Sequence, residues 1–151
     1  MRKPSPKYAR IQATNLVATE LLKQGFWVST KPQNQKFHIL CANADITQRI
    51  GIRVVKSNTS AHRWTLHEEV EKFCSDDLFY VFVGYKNTTT PELFVVPSKI
   101  VLDSIREDAL RWLSSKKRDG TARKNIHTRK FVITNDEKRR YLHKWHLLGL
   151  K

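Results

Sequence analysis

The segment Leu78-Phe79-Tyr80-Val81-Phe82-Val83 restricts the fold more than any other. Aromatic and β-branched side chains favour a pleated backbone. Successive side chains of a strand point to opposite faces, and here both faces are apolar. Such a strand belongs centrally in a sheet with a layer on each side. A chain of 151 residues that is 40% apolar has core enough for one domain of that kind.

The flanking pattern supplies the layers. Ser5 and Pro6 predict a helix entry. Ala9, Ala13, Leu16, Val17 and Leu21 recur at helical spacing, and Gly25 predicts the stop. Strands are expected at 26–30, 37–41 and 51–56, with a short extended piece at 63–66 around Trp64. Residues 67–73 are acidic and ambiguous. Leu93-Phe94-Val95-Val96 pairs with the central strand, and Pro97-Ser98 ends it and starts a helix. Asp103 or Ser104 is expected to begin another, through Leu113. Residues 114–130 read as a long basic loop, and 131–134 as a brief strand. Asn135 is expected to cap a final helix over about 136–149, striped by Tyr141, Leu142, Trp145 and Leu148. The expectation is a single α/β (α+β) domain over 1–151, its core about 8–113, with a mixed sheet flanked by helices.

The net charge of +14 and a pI near 10.1 predict attraction to polyanions, most often nucleic acid. Up to Leu40 the one acidic residue is Glu20, against seven Lys and Arg; from Cys41 to Ile100 the signs balance at seven each. From Val101 onward there are fourteen basic and six acidic residues, so the two ends are the expected contact surface. Cys41 and Cys74 lack metal-site spacing and are expected as buried, reduced thiols. No apolar stretch follows Arg2, Lys3 and Lys7, and no run is long enough to span a membrane. A cytoplasmic protein without membrane contact is expected.

Three phrases carry a family resemblance. They are Leu16-Val17-Ala18-Thr19-Glu20-Leu21-Leu22-Lys23-Gln24-Gly25, Ile52-Arg53-Val54-Val55-Lys56-Ser57-Asn58, and the central strand followed by Pro91-Glu92-Leu93-Phe94-Val95-Val96-Pro97-Ser98-Lys99. In this order they resemble small bacterial single-domain members of the PD-(D/E)XK, restriction-endonuclease-like nuclease superfamily, over most of residues 8–105. The resemblance implies a restriction-endonuclease-like core. It also implies a site of one helix acid, one strand Asp, and an acid two residues before a Lys. Those carboxylates hold Mg²⁺, and the Lys positions the attacking water.

The family positions fall on Thr14, His38 and Val54, and only Lys56 keeps the family's residue type. Mg²⁺ takes hard oxygen ligands, so Thr14, His38 and Val54 imply a degraded, metal-free site. Asp45, eleven residues before Lys56, is the alternative metal ligand, with Glu68 or Glu69 as a partner. Of the histidines, His143 and His146 have a metal-like spacing but no carboxylate on the same face, so a surface role is expected. No Walker, GxGxxG or GxSxG pattern occurs.

The expected nucleic-acid contacts are Lys116, Lys117, Arg118, Arg123, Lys124, Arg129 and Lys130, continued by Arg139, Arg140 and Lys144 on the last helix. Arg2, Lys3, Lys7 and Arg10 form a second patch. The reading is a binder of nucleic-acid backbone, DNA before RNA, with little base readout and no cofactor. The alternatives are an active Mg²⁺-dependent endonuclease with atypical ligands in a defence or mobile-element setting, and a protein-interaction subunit. A protein partner or homodimer is compatible with each.

Overall fold

A computed structural model describes residues 5–31, 36–57, 62–85, 90–121 and 127–151. Helix α1, Pro6–Lys23, opens where Ser5 Oγ accepts the Tyr8 N–H at 3.2 Å. It ends on Gly25 at φ +89°, with Gly25 N–H donating to Leu22 O and Phe26 N–H to Leu21 O. Those two bonds and the left-handed glycine form a Schellman stop. Ala13, Val17, Ala18 and Leu21 are its buried stripe.

Five strands form the main sheet: β1 (Trp27–Ser29), β2 (Ile39–Ala42), β3 (Arg49–Lys56), β5 (Leu78–Gly84) and β6 (Glu92–Pro97), in the order β1-β2-β3-β5-β6. Strands β3 and β5 are parallel and the other pairs antiparallel, so the sheet is mixed. Every residue of β5 is buried. Its Phe79, Val81 and Val83 join α1, β3 and the chain end, including Trp145 and Leu148. Tyr80 and Phe82 join the opposite core. Both layers follow from the alternation in β5.

The opposite layer differs from the expected one. Helix α2, Ser98–Ser114, runs unbroken from its cap at Pro97 and buries Val101, Leu102 and Ile105. No second start occurs at Asp103 or Ser104, because nothing there competes with the helical backbone. Beside α2 lies a two-stranded antiparallel ribbon of β4 (Arg63–His67) and β7 (Thr128–Val132). The basic loop expected to reach residue 130 therefore gives way to a strand at Thr128. Alternation in β4 seats Trp64 and Leu66 against the sheet, and Trp64 packs on Phe82 and Phe94 with ring centroids 5.0 and 5.7 Å apart. Residues Glu68–Lys72 form a 3₁₀ turn.

The expected long C-terminal helix is broken. Helix α3 spans Asn135–Tyr141, capped by Thr134 in a capping box with Glu137 rather than by Asn135. His143, at φ +53°, turns the chain into a separate 3₁₀ turn, Trp145–Leu148. This break lets Tyr141 pack in the α2-side core while Trp145 and Leu148 reach the α1-side core. Cys41 is buried, where burial raises its thiol pKa to about 12, but Cys74 is exposed in the turn before β5. No described helix is long and apolar enough to cross a membrane.

A buried side-chain hydrogen bond joins the ribbon to the main sheet, from Trp64 Nε1 to Val83 O at 3.0 Å. Trp64→Phe leaves that buried carbonyl without its indole donor. We expect a loss of about 1–2 kcal/mol, read from urea unfolding.

Candidate nucleic-acid interface

Strand β2 pairs β3 only from Arg49 to Ile52, so Val54–Lys56 has an open edge on that side. His38 closes the divergence. Its backbone N–H donates to Ile52 O at 2.8 Å, and its ring Nδ1 accepts the Val54 N–H at 2.9 Å. Burial, then the charges of Arg53 and Arg10, push the His38 pKa from 6.5 down to about 4. The ring is therefore neutral near pH 7. With Nδ1 occupied as an acceptor, the ring proton sits on Nε2.

Two adjoining hollows flank this edge. One, about 510 Å³, has Arg10, Thr14, Lys31 and His38 in its wall. The other, about 270 Å³, is walled by Arg10, Ala13, Val54, Lys56 and Thr65 among others. Arg10 belongs to both. Thr14, His38, Val54 and Lys56 are thus brought to one cleft at the end of α1. Val54 is buried and Lys56 half-buried, with its amine 5.5 Å from the Tyr85 ring centroid. Thr14 Oγ1 donates to Arg10 O at 2.9 Å. Arg53 points to the other face, where Nη1 donates to Lys36 O at 2.7 Å and the guanidinium lies over Phe73.

Mg²⁺ is a poor match for this wall. All fourteen Asp and Glu residues lie in the described part of the chain, and none lines either hollow. The His38 tautomer presents an N–H rather than a lone pair, Val54 supplies hydrocarbon, and Arg10 and Lys56 carry positive charge. Among the described residues no group of three His, Cys, Asp or Glu is placed to hold a metal. What the cleft offers is N–H and ammonium donors, which suit an anion.

The alternative ligands lie elsewhere. Asp45 sits in the β2–β3 turn, its Oδ1 accepting from Thr47 N and Oγ1, which keeps its carboxyl below the ordinary range. That turn and Lys56 occupy opposite ends of β3, an eight-residue strand, about 23 Å apart. Glu68 is committed to His127 Nδ1 at 2.6 Å and Arg129 Nη2 at 3.6 Å. Glu69 is exposed beside His67. His143 and His146 do not share one helix.

The basic contacts divide. Lys116, Lys117 and Arg118 are exposed in a turn that closes through Lys117 N–H to Thr121 O and a left-handed Gly120. Lys130 is exposed on β7, Arg139 and Arg140 are exposed on α3, and Lys144 is half-buried before the last turn. Arg123 and Lys124 lie outside the described residues. Arg129 departs from the expected surface role. It is 9% exposed, on the inner side of β7, with Nε on Glu71 Oε1 at 2.8 Å. Strand alternation buries it between its exposed neighbours. Lys138 likewise pairs with Glu92 at 2.6 Å.

Among solved structures, the chain is similar to the Holliday junction resolvase Hjc of the archaeal hyperthermophile Archaeoglobus fulgidus. The TM-score is 0.57 at 9% identity, over 95% of this chain and 98% of that one. It is also similar to the bacterial homing endonuclease I-Ssp6803I, with a TM-score of 0.56 at 13% identity, over 97% and 92%. The fold is restriction-endonuclease-like. At these identities the likeness defines architecture alone. No protein-family model and no curated protein matches the chain.

Within this restriction-endonuclease-like fold, Arg10, expected in the second basic patch, lines both hollows of the cleft. Its position four residues before Thr14 puts both on one helical face, a signal present in the sequence.

Two outcomes follow from the side-chain environments. The unfolded chain takes a proton on His38 near pH 6.5 and the folded chain only near 4. Stability contributed by neutral His38 is therefore present above 6.5 and lost as pH falls toward 4. In paired urea titrations, the difference between wild type and His38→Asn should move against wild type across that window. A pH-independent difference would contradict it. Arg129→Ala should cost about 2–3 kcal/mol of stability, the charges of Glu68 and Glu71 losing their partner. Lys130→Ala, by the same unfolding measurement, should lie within about 0.5 kcal/mol of wild type.

Proposed function

We propose that this chain binds DNA through the sugar–phosphate backbone and does not cut it by a metal-dependent route. The observation that carries the reading is the wall of the β3-edge cleft. Arg10, the His38 N–H and the retained Lys56 line it, while the positions where the resemblance expects carboxylates hold Thr14, His38 and Val54. A phosphate oxygen satisfies such donors directly, with no bridging cation. Lys56 then acts as a phosphate contact, with Arg10 beside it.

The rest of the charge supports the same partner. A net +14 on 151 residues favours a polyanion over a protein surface of mixed sign. Lys116, Lys117, Arg118, Arg139, Arg140 and Lys144 extend the backbone contact beyond the cleft, while Arg129 serves the fold. DNA is preferred to RNA because the similar structures belong to a Holliday junction resolvase and a homing endonuclease.

Duplex binding titrated across salt tests this. Wild type should bind with a steep salt dependence. Arg10→Ala and Lys56→Ala should each weaken it and flatten the slope of log K on log salt by about 0.9. Plasmid and single-stranded DNA should stay intact with Mg²⁺ or Mn²⁺. Scission that Lys56→Ala abolishes would overturn the proposal in favour of an endonuclease. An absence of salt-sensitive binding at low ionic strength would turn it toward a protein-docking role.

A further inference from the structure

The ribbon of β4 and β7 has a solvent face that backbone holding does not require. Both strands alternate exposed and buried residues along their whole length. Their inner residues pack on the sheet or, at Arg129, pair with Glu71. The outer face presents Arg63, Thr65 and His67 on β4 opposite Val132, Lys130 and Thr128 on β7, in that order. No carboxylate occupies a position on it. Beside it, Glu69 lies 3.9 Å from His67 at one end, and Asp108 of α2 lines a hollow with Thr128 and Lys130.

Size and chemistry agree on an occupant. Five residues per strand make a ribbon about 17 Å long, with its strands about 4.8 Å apart. The major groove of B-DNA, about 12 Å wide, admits a two-stranded ribbon. Arg63 and Lys130 hold diagonal positions without a carboxylate between them, and neither has an ion pair among the described residues. Their donors suit guanine O6 and N7, the threonine hydroxyls suit either base pair, and Val132 is an apolar surface for a thymine methyl. The ribbon's inner anchors, Trp64 and Phe131, are fully buried, so the face is rigid before it meets a ligand. Thr65 also lines the Lys56 hollow, which makes ribbon and cleft neighbours on one surface.

We propose that the outer face of the β4–β7 ribbon enters the major groove of duplex DNA while the cleft holds the adjacent backbone. This rests on the backbone-binding reading and adds the groove and the reading element, where the sequence suggested little base contact. The test compares binding of the full chain to a mixed-sequence duplex and to the same duplex carrying glucosylated 5-hydroxymethylcytosine. That modification fills the major groove and leaves the phosphates unchanged. Wild type should bind the filled duplex about tenfold more weakly. The double variant Arg63→Ala/Lys130→Ala, with an unchanged circular dichroism spectrum, should bind both duplexes alike and remain salt-sensitive. Equal wild-type affinity for the two duplexes would overturn the ribbon proposal and leave backbone binding standing. An undiminished preference in the double variant would assign the groove to another element and also overturn it. No salt-sensitive affinity for either duplex would overturn both readings.

Discussion

Strand β5 has no side that meets solvent, and that burial organises everything around it. A strand buried on both faces needs two layers, and each must present an apolar stripe to it. One layer is α1, whose stripe of Ala13, Val17 and Leu21 shares a core with Val81 and Val83. The other is shared by α2 and the ribbon, which meet Tyr80 and Phe82. Strand β3 pairs β5 from Gly51 to Lys56, but β2 is only four residues long. The sheet therefore opens beyond Ile52 with α1 on one side and β4 on the other. The cleft is a consequence of unequal strand lengths within a sheet whose faces are already committed.

Electrostatics then decide what such an opening suits. Three carboxylates there would repel one another and a phosphate until a divalent cation joined them. In this chain the charged residues in the cleft wall, Arg10, Lys31 and Lys56, are basic, which on the proposed reading suits an anion. His38 fits that change. A charged ring would add to Arg10 and Arg53, and the low pKa of about 4 keeps it neutral. Neutrality frees Nδ1 to satisfy the Val54 N–H that β2 is too short to reach. The imidazole thus serves as a piece of sheet backbone and as a donor to the cleft. An aspartate could accept from Val54 N–H but would present negative charge to a phosphate.

Much of this was legible in the sequence, for identifiable reasons. The double-sided strand at 78–83, the α1 stripe and the Gly25 stop are local patterns, and local patterns survive into the fold. The resemblance to restriction-endonuclease-like nucleases gave the architecture, in which Thr14 and His38 line one hollow and Val54 and Lys56 the adjoining one. The misses depend on tertiary contacts. Strand β7 is five residues of mixed charge, and its alternation of buried and exposed residues has meaning only once β4 lies beside it. Arg129 read as surface because Glu71, 58 residues earlier, is its partner. The last helix broke because Tyr141 and Trp145 serve different cores, a demand that a helical stripe does not reveal. Asp45 lies away from Lys56 because the eleven-residue separation between them includes the length of β3.

The ribbon and the cleft also explain where basic residues are fixed and where they are left exposed. Arg129 and Lys138 are tied to Glu71 and Glu92, and both ties hold the ribbon-side layer together. Glu92 also receives His62, one residue before β4, at 2.8 Å, so a single carboxylate joins β6, α3 and the start of the ribbon. Glu71 and Glu92 on this side are thus paired within the structure, with Arg129, Lys138 and His62. The cations that point outward, Arg63 and Lys130, keep their charge for the solvent face. The outer face of the ribbon thus carries Arg63 and Lys130, while the packing beneath it is buried and its Arg129 is paired. A polyanion approaching that face meets donors whose positions are set by buried aromatic anchors, so less ordering entropy is lost on contact than with a flexible basic tail.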